Sequence, residues 1–181
     1  MNAIFLDRDG VINRKAPGGE YISKWADFQF LPGVFAAVLK LSQAGFKIFI
    51  ITNQRGIALR KFRLQDLEDI HSRLKERFVH HGTAIDGIYF CPHDIAENCS
   101  CRKPKPGLLQ QAARDYVLDL PSCWMIGDAL SDVEAGQAAG CRTARILHPG
   151  VSAHNVPAAD ITAEDLLAVS LRILQCTHMM L

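Results

Sequence analysis

Apolar residues fall along this chain in two rhythms: short unbroken runs, and longer segments in which they recur at intervals of three and four. Ala3-Ile4-Phe5-Leu6 is too brief for a helix and ends abruptly in Asp7-Arg8-Asp9-Gly10. It reads as a buried strand that delivers polar groups to a loop. Phe46 to Ile51, Ile85 to Phe90, Cys123 to Ile126 and Thr143 to Leu147 repeat that pattern. Between them lie helical periodicities over Val34 to Ala44, Gln65 to His81 and Leu108 to Val117. Val34, Val38 and Leu41 share one face of the first, which Gly45 closes; Leu67, Ile70, Leu74 and Phe78 share one face of the second. Ser131 and Glu134 fit a capping box for a further helix that Gly140 ends, and Thr162 with Asp165 opens a last one reaching about Leu174. Strands alternating with helices predict an α/β fold with a doubly wound parallel sheet.

The stretch from Asn13 to Asp27, with Pro17-Gly18-Gly19, is too short for an inserted domain and reads as a loop over the strand ends. The 181 residues therefore fit one domain, 1–181, with a core large enough to need no staples. A hydrophobic content of 49% and a net charge of +1 lack the basic excess of a nucleic-acid binder, so no nucleic-acid partner is expected. No apolar run approaches the length of a membrane span, and Asp7 and Arg8 interrupt the first run, which points to a cytoplasmic protein without a membrane partner. A monomer acting on a small molecule is the expectation.

Every polar cluster falls at a strand's carboxyl end, where open α/β sheets bind ligands. Asp7 and Asp9 are close enough to repel, unless a divalent cation favours both charges, and hard oxygen ligands point to Mg²⁺; the alternative is an acidic loop capping the next segment. In that setting Asp7 suits a nucleophile toward phosphorus and Asp9 a general acid and base. Asp128, after Gly127, supplies a third carboxylate for the same ion, although by itself it reads as a turn residue. Thr52 and Asn53 offer a hydroxyl and an amide to phosphoryl oxygens, Lys103 offers positive charge, and the planar fork of Arg102 suits a second anionic group. Of the six cysteines, Cys123, Cys141 and Cys176 lie in apolar contexts and read as small core residues. Cys91, His93, Cys99 and Cys101 give three sulfurs and an imidazole, the inventory of a closed structural Zn²⁺ site that would stiffen the loop carrying Arg102 and Lys103. Unligated cysteines beside a loop histidine are the alternative.

Taken together, Asp7-Arg8-Asp9-Gly10-Val11-Ile12-Asn13, Thr52-Asn53-Gln54, Cys101-Arg102-Lys103-Pro104 and Gly127-Asp128 resemble, in order, the motifs of the haloacid dehalogenase superfamily, over roughly Ala3 to Ile146. The resemblance implies a Rossmann-like fold without a large cap and a Mg²⁺-dependent phosphatase working through an aspartyl-phosphate. It implies Asp7 as nucleophile, Asp9 as acid and base, and Thr52 and Lys103 as phosphoryl stabilisers. Mg²⁺ would be held by Asp7, Asp9 (through its main-chain carbonyl) and Asp128, and the positions of Gln54 and Arg55 would face substrate. Cys-Pro-His and Cys-x-Cys-Arg-Lys-Pro-x-Pro-Gly are similar to the zinc-loop phosphatases of small phosphate esters, which implies a heptose 1,7-bisphosphate losing its C7 phosphate in the making of nucleotide-activated heptose for lipopolysaccharide. Histidinol phosphate is the alternative substrate, favoured by the short Asp94 to Asn98 loop. Arg55 stands where relatives have a small residue, Ala129 where they commonly carry lysine, and Leu59-Arg60-Lys61 departs from the usual run. Two other classes remain open: a non-catalytic zinc-stapled phosphate-binding module, and a redox module on Cys99-x-Cys101, which lacks Cys-x-x-Cys spacing.

Overall fold

The computed structural model of the chain describes residues 1–148 and 158–178. Six parallel strands, β1 (Ala3–Leu6), β2 (Lys47–Asn53), β3 (Gly87–Cys91), β4 (Trp124–Gly127), β5 (Arg142–Ile146) and β6 (Ile161–Ala163), form one sheet in the order β3-β2-β1-β4-β5-β6. The chain winds outward from β1 through β2 to β3, then crosses to β4 on the other side. The switch point thus lies between β1 and β4, and the crevice beyond their carboxyl ends is where such a sheet binds ligands.

Side-chain alternation divides the core between the two faces. Ile4, Leu6, Ile48, Ile50 and Ile126 pack on the side of α1 (Val34–Gln43), α2 (Leu64–His80) and α5 (Leu166–His178). Ala3, Phe5, Phe49, Ile51 and Met125 pack on the side of α3 (Gly107–Tyr116) and α4 (Leu130–Ala139). Because Phe5 lies in register with both Phe49 and Met125, the three are one cross-strand row. Burial of each such side chain contributes about 1.5–3 kcal/mol, which makes the ends of these central strands a rigid platform.

Several boundaries differ from the sequence expectations for local reasons. β2 runs on through Thr52 and Asn53, because β3 holds them in register with Phe90 and Cys91. Residues 161–163, expected to open the last helix, form a sixth strand beside β5; Asp165 starts α5 instead, accepting a hydrogen bond from the Ala168 amide at 2.8 Å. α4 is capped by Asp132 rather than by Ser131 and Glu134: Asp132 Oδ2 accepts from the Ala129 amide at 3.0 Å.

Among the described residues no domain is inserted between the strands. The segment after β1 returns as a loop bridged to itself, with Asn13 paired antiparallel to Phe30 and the Leu31 amide donating to the Ile12 carbonyl at 2.9 Å. Its far end is pinned by aromatic contacts: Trp25 stacks on Phe28 at 5.1 Å, and Phe30 meets Phe35 of α1 at 4.6 Å and Phe78 of α2 at 6.0 Å. Pairs of this kind add about 0.5–1.5 kcal/mol each beyond their burial, so the loop is fastened over the strand ends. No described helix is long and apolar enough to cross a membrane.

Candidate active site

Three strand termini and one loop converge. Asp7 follows β1, Thr52 and Asn53 end β2, Lys103 comes from the loop before α3, and Asp128 and Asp132 sit at the turn from β4 into α4. Lys103 is 3% exposed, and its ammonium donates to Asp7 Oδ1 at 2.7 Å and to the Ile51 carbonyl at 2.8 Å while pairing with Asp132 Oδ1 at 2.6 Å. Its three N–H donors therefore have three acceptors. Paired with two carboxylates it stays protonated, its pKa held above the usual lysine range even though burial opposes the charge. Asp7 is the counterpart: desolvation pushes its carboxyl up to about 7, with Lys103 pulling down and Asp132 and Asp9 pushing further up. That is the setting of a carboxylate short of positive charge.

Asp9 is held in the opposite sense. Arg8 Nη2 donates to both its oxygens at 3.0 and 2.9 Å, Asn13 Nδ2 at 2.9 Å and Gln54 Nε2 at 3.0 Å, and its pKa lies below the ordinary carboxylate value because these donors outweigh its burial. Arg8 itself is 1% exposed and meets His71 Nε2 of α2 at 3.5 Å. Burial and the neighbouring guanidinium push His71 down to about 3, so the imidazole is neutral.

The remaining expected residues are placed as follows. Gln54 is 1% exposed and its Nε2 donates to Thr52 Oγ1 at 2.8 Å and to Asp9 Oδ2 at 3.0 Å, orienting those two side chains. Asn53 docks on the Lys103 main chain with both ends of its amide at 3.1 Å, fixing the lysine's loop to β2. Arg55 Nε pairs with Asp94 Oδ1 at 2.6 Å, tying the loop after β2 to the turn that follows His93. Arg102 lies with Asn53, Ile95, Asn98 and Ser131 around a cleft of about 340 Å³, and its Nη1 is buried without a hydrogen-bond partner.

Two ligand sets of opposite softness are present. Carboxylate oxygens of Asp7, Asp128 and Asp132 lie within 4.8 Å of one another, and Asp128 Oδ1 is buried without a partner, as a carboxylate prepared for a hard cation would be. Asp132 joins the cluster through its carboxylate, a ligand the sequence did not point to, while the Asp9 carboxylate stays on Arg8, Asn13 and Gln54 and leaves its main-chain carbonyl as the group expected at the ion. Cys91, His93, Cys99 and Cys101 gather equally closely: Cys91 Sγ is 3.5 Å from Cys99 Sγ and 3.6 Å from His93 Nδ1, and Cys101 Sγ is 3.4 Å from Cys99 Sγ and 3.2 Å from His93 Nδ1. A tetrahedron with such edges has its centre about 2.1 Å from each corner, which fits Zn²⁺. Hydrogen bonds from neighbouring groups bring the Cys99 thiol down to about 7 against its desolvation, whereas burial pushes Cys101 up to about 12.

Sequence reasoning missed Asp132, Arg8, His71 and Lys15, whose Nζ is 2.6 Å from Asp128 Oδ2. Asp132 had a signal, since its spacing from Asp128 puts it at the start of a helix, and Arg8 was visible between two carboxylates. His71 sits on the apolar face of α2 and carried none.

A doubly wound sheet with carboxylates from β1 and β4 and a buried lysine at its switch point defines a hydrolase of the haloacid dehalogenase class. A HAD-hydrolase-like family model matches residues 100–171. A D-glycero-beta-D-manno-heptose-1,7-bisphosphate 7-phosphatase of Pseudomonas aeruginosa is 38% identical over 175 residues, covering 95% of this chain and 97% of its own. One of Helicobacter pylori is 44% identical over 135 residues, covering 74% and 76%. The crystal structure of a D,D-heptose 1,7-bisphosphate phosphatase from B. bronchiseptica, complexed with magnesium and phosphate, superposes with a TM-score of 0.89 at 33% identity, covering 97% of this chain and 99% of that one. The chain belongs to the haloacid dehalogenase-like hydrolases and, within them, to the family of these heptose bisphosphate phosphatases.

Proposed function

We propose that this protein is a Mg²⁺-dependent, cytoplasmic phosphatase that removes the C7 phosphate of D-glycero-D-manno-heptose 1,7-bisphosphate, working as a single domain over 1–181. The observation that carries the reading is Asp7 at the end of β1, 2.7 Å from the Lys103 ammonium and within 4.8 Å of two further carboxylates, in a chain related along nearly its whole length to such phosphatases.

Asp7 attacks phosphorus in line, the ester P–O bond breaks, and an aspartyl-phosphate forms. The departing sugar alkoxide takes a proton from the Asp9 carboxyl. Water then attacks the aspartyl-phosphate, its proton returns to Asp9, and inorganic phosphate leaves with Asp7 restored. Arg8, Asn13 and Gln54 hold Asp9 as the anion, which suits the second half. For the first half Asp9 needs a proton, which the negative charge of the bound phosphoryl group favours by raising the pKa of the carboxylate beside it. Lys103 neutralises charge developing on the phosphoryl oxygens, and the Thr52 hydroxyl donates to them. Asp7 and Asp128, with Asp132 behind and the Asp9 main-chain carbonyl alongside, would hold Mg²⁺, which supplies charge neutralisation for the transferring group. Zn²⁺ on Cys91, His93, Cys99 and Cys101 would hold the Arg102-Lys103 loop in place.

Arg102 at the wall of the cleft, with one guanidinium nitrogen still lacking a hydrogen-bond partner, supports a second anionic group on the substrate, the C1 phosphate. A guanidinium hydrogen bond to such a group is worth about 1.5–3 kcal/mol, or roughly tenfold and more. Arg102→Ala should therefore lower kcat/KM at least about tenfold on the 1,7-bisphosphate and much less on the 7-monophosphate, measured by phosphate release with Mg²⁺ present. Equal losses on both would remove Arg102 from that role, and a wild-type preference for histidinol phosphate would overturn the substrate.

A further inference from the structure

The loop over the site carries a cation that the chemistry above leaves unused. Lys15 Nζ lies 2.6 Å from Oδ2 of Asp128, with side chains 54% and 5% exposed respectively, and His148 Nε2 stands 3.4 Å from the same oxygen while hydrogen-bonded to the Gly10 carbonyl at 2.8 Å. The contact is shaped by Gly10, whose φ is +99°: a Cβ there would lie 2.3 Å from Asp128 Oδ2 and 2.6 Å from Lys15 Cε. The lysine stem thus crosses the open face of a glycine to reach a buried carboxylate. The other oxygen of that carboxylate, Oδ1, is buried and has no partner. Asp128 is therefore a ligand half used, with the Lys15 ammonium and the His148 ring against one oxygen and no hydrogen-bond partner on the other.

We propose that Lys15 is a specificity-determining residue that trades partners: its ammonium occupies Asp128 until the divalent cation takes that carboxylate, and the freed ammonium then binds the anionic substrate arriving at the same cleft. This rests on the magnesium phosphatase reading. Three properties support the exchange. An ion pair with one exposed partner is weak, so the cation displaces it at little cost. Lysine is a point charge on a flexible stem and can re-aim without moving the backbone. And the loop holding it is fastened at Asn13 and Phe30, which keeps the released charge beside the strand ends. Cation and phosphate then reinforce each other, because the first removes the carboxylate that competes with the second.

The test uses Lys15→Met, which keeps the stem and loses the charge, with Mn²⁺ as the probe of the cation site and inorganic phosphate as the probe of the anion site. In substrate-free protein, titrated by electron paramagnetic resonance, the variant should bind Mn²⁺ about three- to fivefold more tightly than wild type, since its competitor is gone. In Mn²⁺-saturated protein its phosphate affinity should fall about tenfold, and Lys15→Arg should restore most of it. Equal Mn²⁺ affinity in wild type and Lys15→Met would overturn the exchange while leaving the metal reading intact. Absence of Mn²⁺ binding in both would overturn the metal reading and the exchange with it.

Discussion

His71 shows how a residue outside the chemistry conditions a residue inside it. The imidazole faces Arg8, with Asp9 and Lys75 acting on it at longer range and the Phe90 ring 5.8 Å away, and it is neutral because it is buried beside a guanidinium. Its pKa is about 3 in the folded protein against 6.5 for a free imidazole, so below pH 6.5 the unfolded chain takes up a proton that the folded chain does not. Stability is complete above 6.5 and is lost as the pH falls toward 3, by about 1.4 kcal/mol per pH unit. Between pH 7 and pH 5, His71→Gln should therefore lose about 2 kcal/mol less unfolding free energy than wild type, read from urea transitions at each pH. Parallel losses in the two proteins would show that His71 is not held neutral by the fold.

Among the elements, the Cys91 to Lys103 segment bears most directly on function, since it carries both Arg102 and Lys103 without regular structure beyond the short turn Ile95–Glu97. Asn53 fixes it from β2, Arg55 from the loop beyond, and Gly107 from α3, where a Cβ would meet the Ser100 carbonyl oxygen at 2.3 Å. With Zn²⁺ on them, Cys91, His93, Cys99 and Cys101 would close a loop much as a disulfide does, a constraint worth about 2–4 kcal/mol. Protein purified without chelator should carry one zinc per chain, and stripping it should lower Tm by about 5–15 °C and reduce kcat/KM in a way that added Mg²⁺ does not restore. Zinc-free protein with unchanged melting would remove the metal from this loop.

The same elements show what could be read from residues alone. Asp7, Thr52, Lys103 and Asp128 were visible because each ends an apolar run or stands among prolines and cysteines, and the sheet brings such ends together whatever their separation in the chain. The three residues of β6 were not, because one alternation on a sheet edge is indistinguishable from a helix start. Asp132 was legible only as a helix-start residue four positions after Asp128: its partners are the Ala129 amide and an ammonium from a distant loop, and the folded sheet supplies the second. Gln54 and Asn53 were visible as polar residues, but their partners, Asp9 and the Lys103 backbone, lie on other strands and loops.

At the scale of the whole molecule, the β1/β4 switch point places the Asp7 carboxylate, a buried lysine, a cluster of hard ligands and a loop carrying four soft ones around one crevice. The central claim is that this arrangement hydrolyses one of two phosphates on a small sugar, with Asp7 as the attacking group. The most direct measurement is ³¹P NMR of D-glycero-D-manno-heptose 1,7-bisphosphate incubated with the protein and Mg²⁺, beside the Asp7→Asn variant. The account expects the C7 phosphomonoester signal to be replaced by inorganic phosphate while the C1 signal persists, with no change in the variant. Loss of the C1 signal, or turnover by a folded Asp7→Asn protein that has not deamidated, would contradict it.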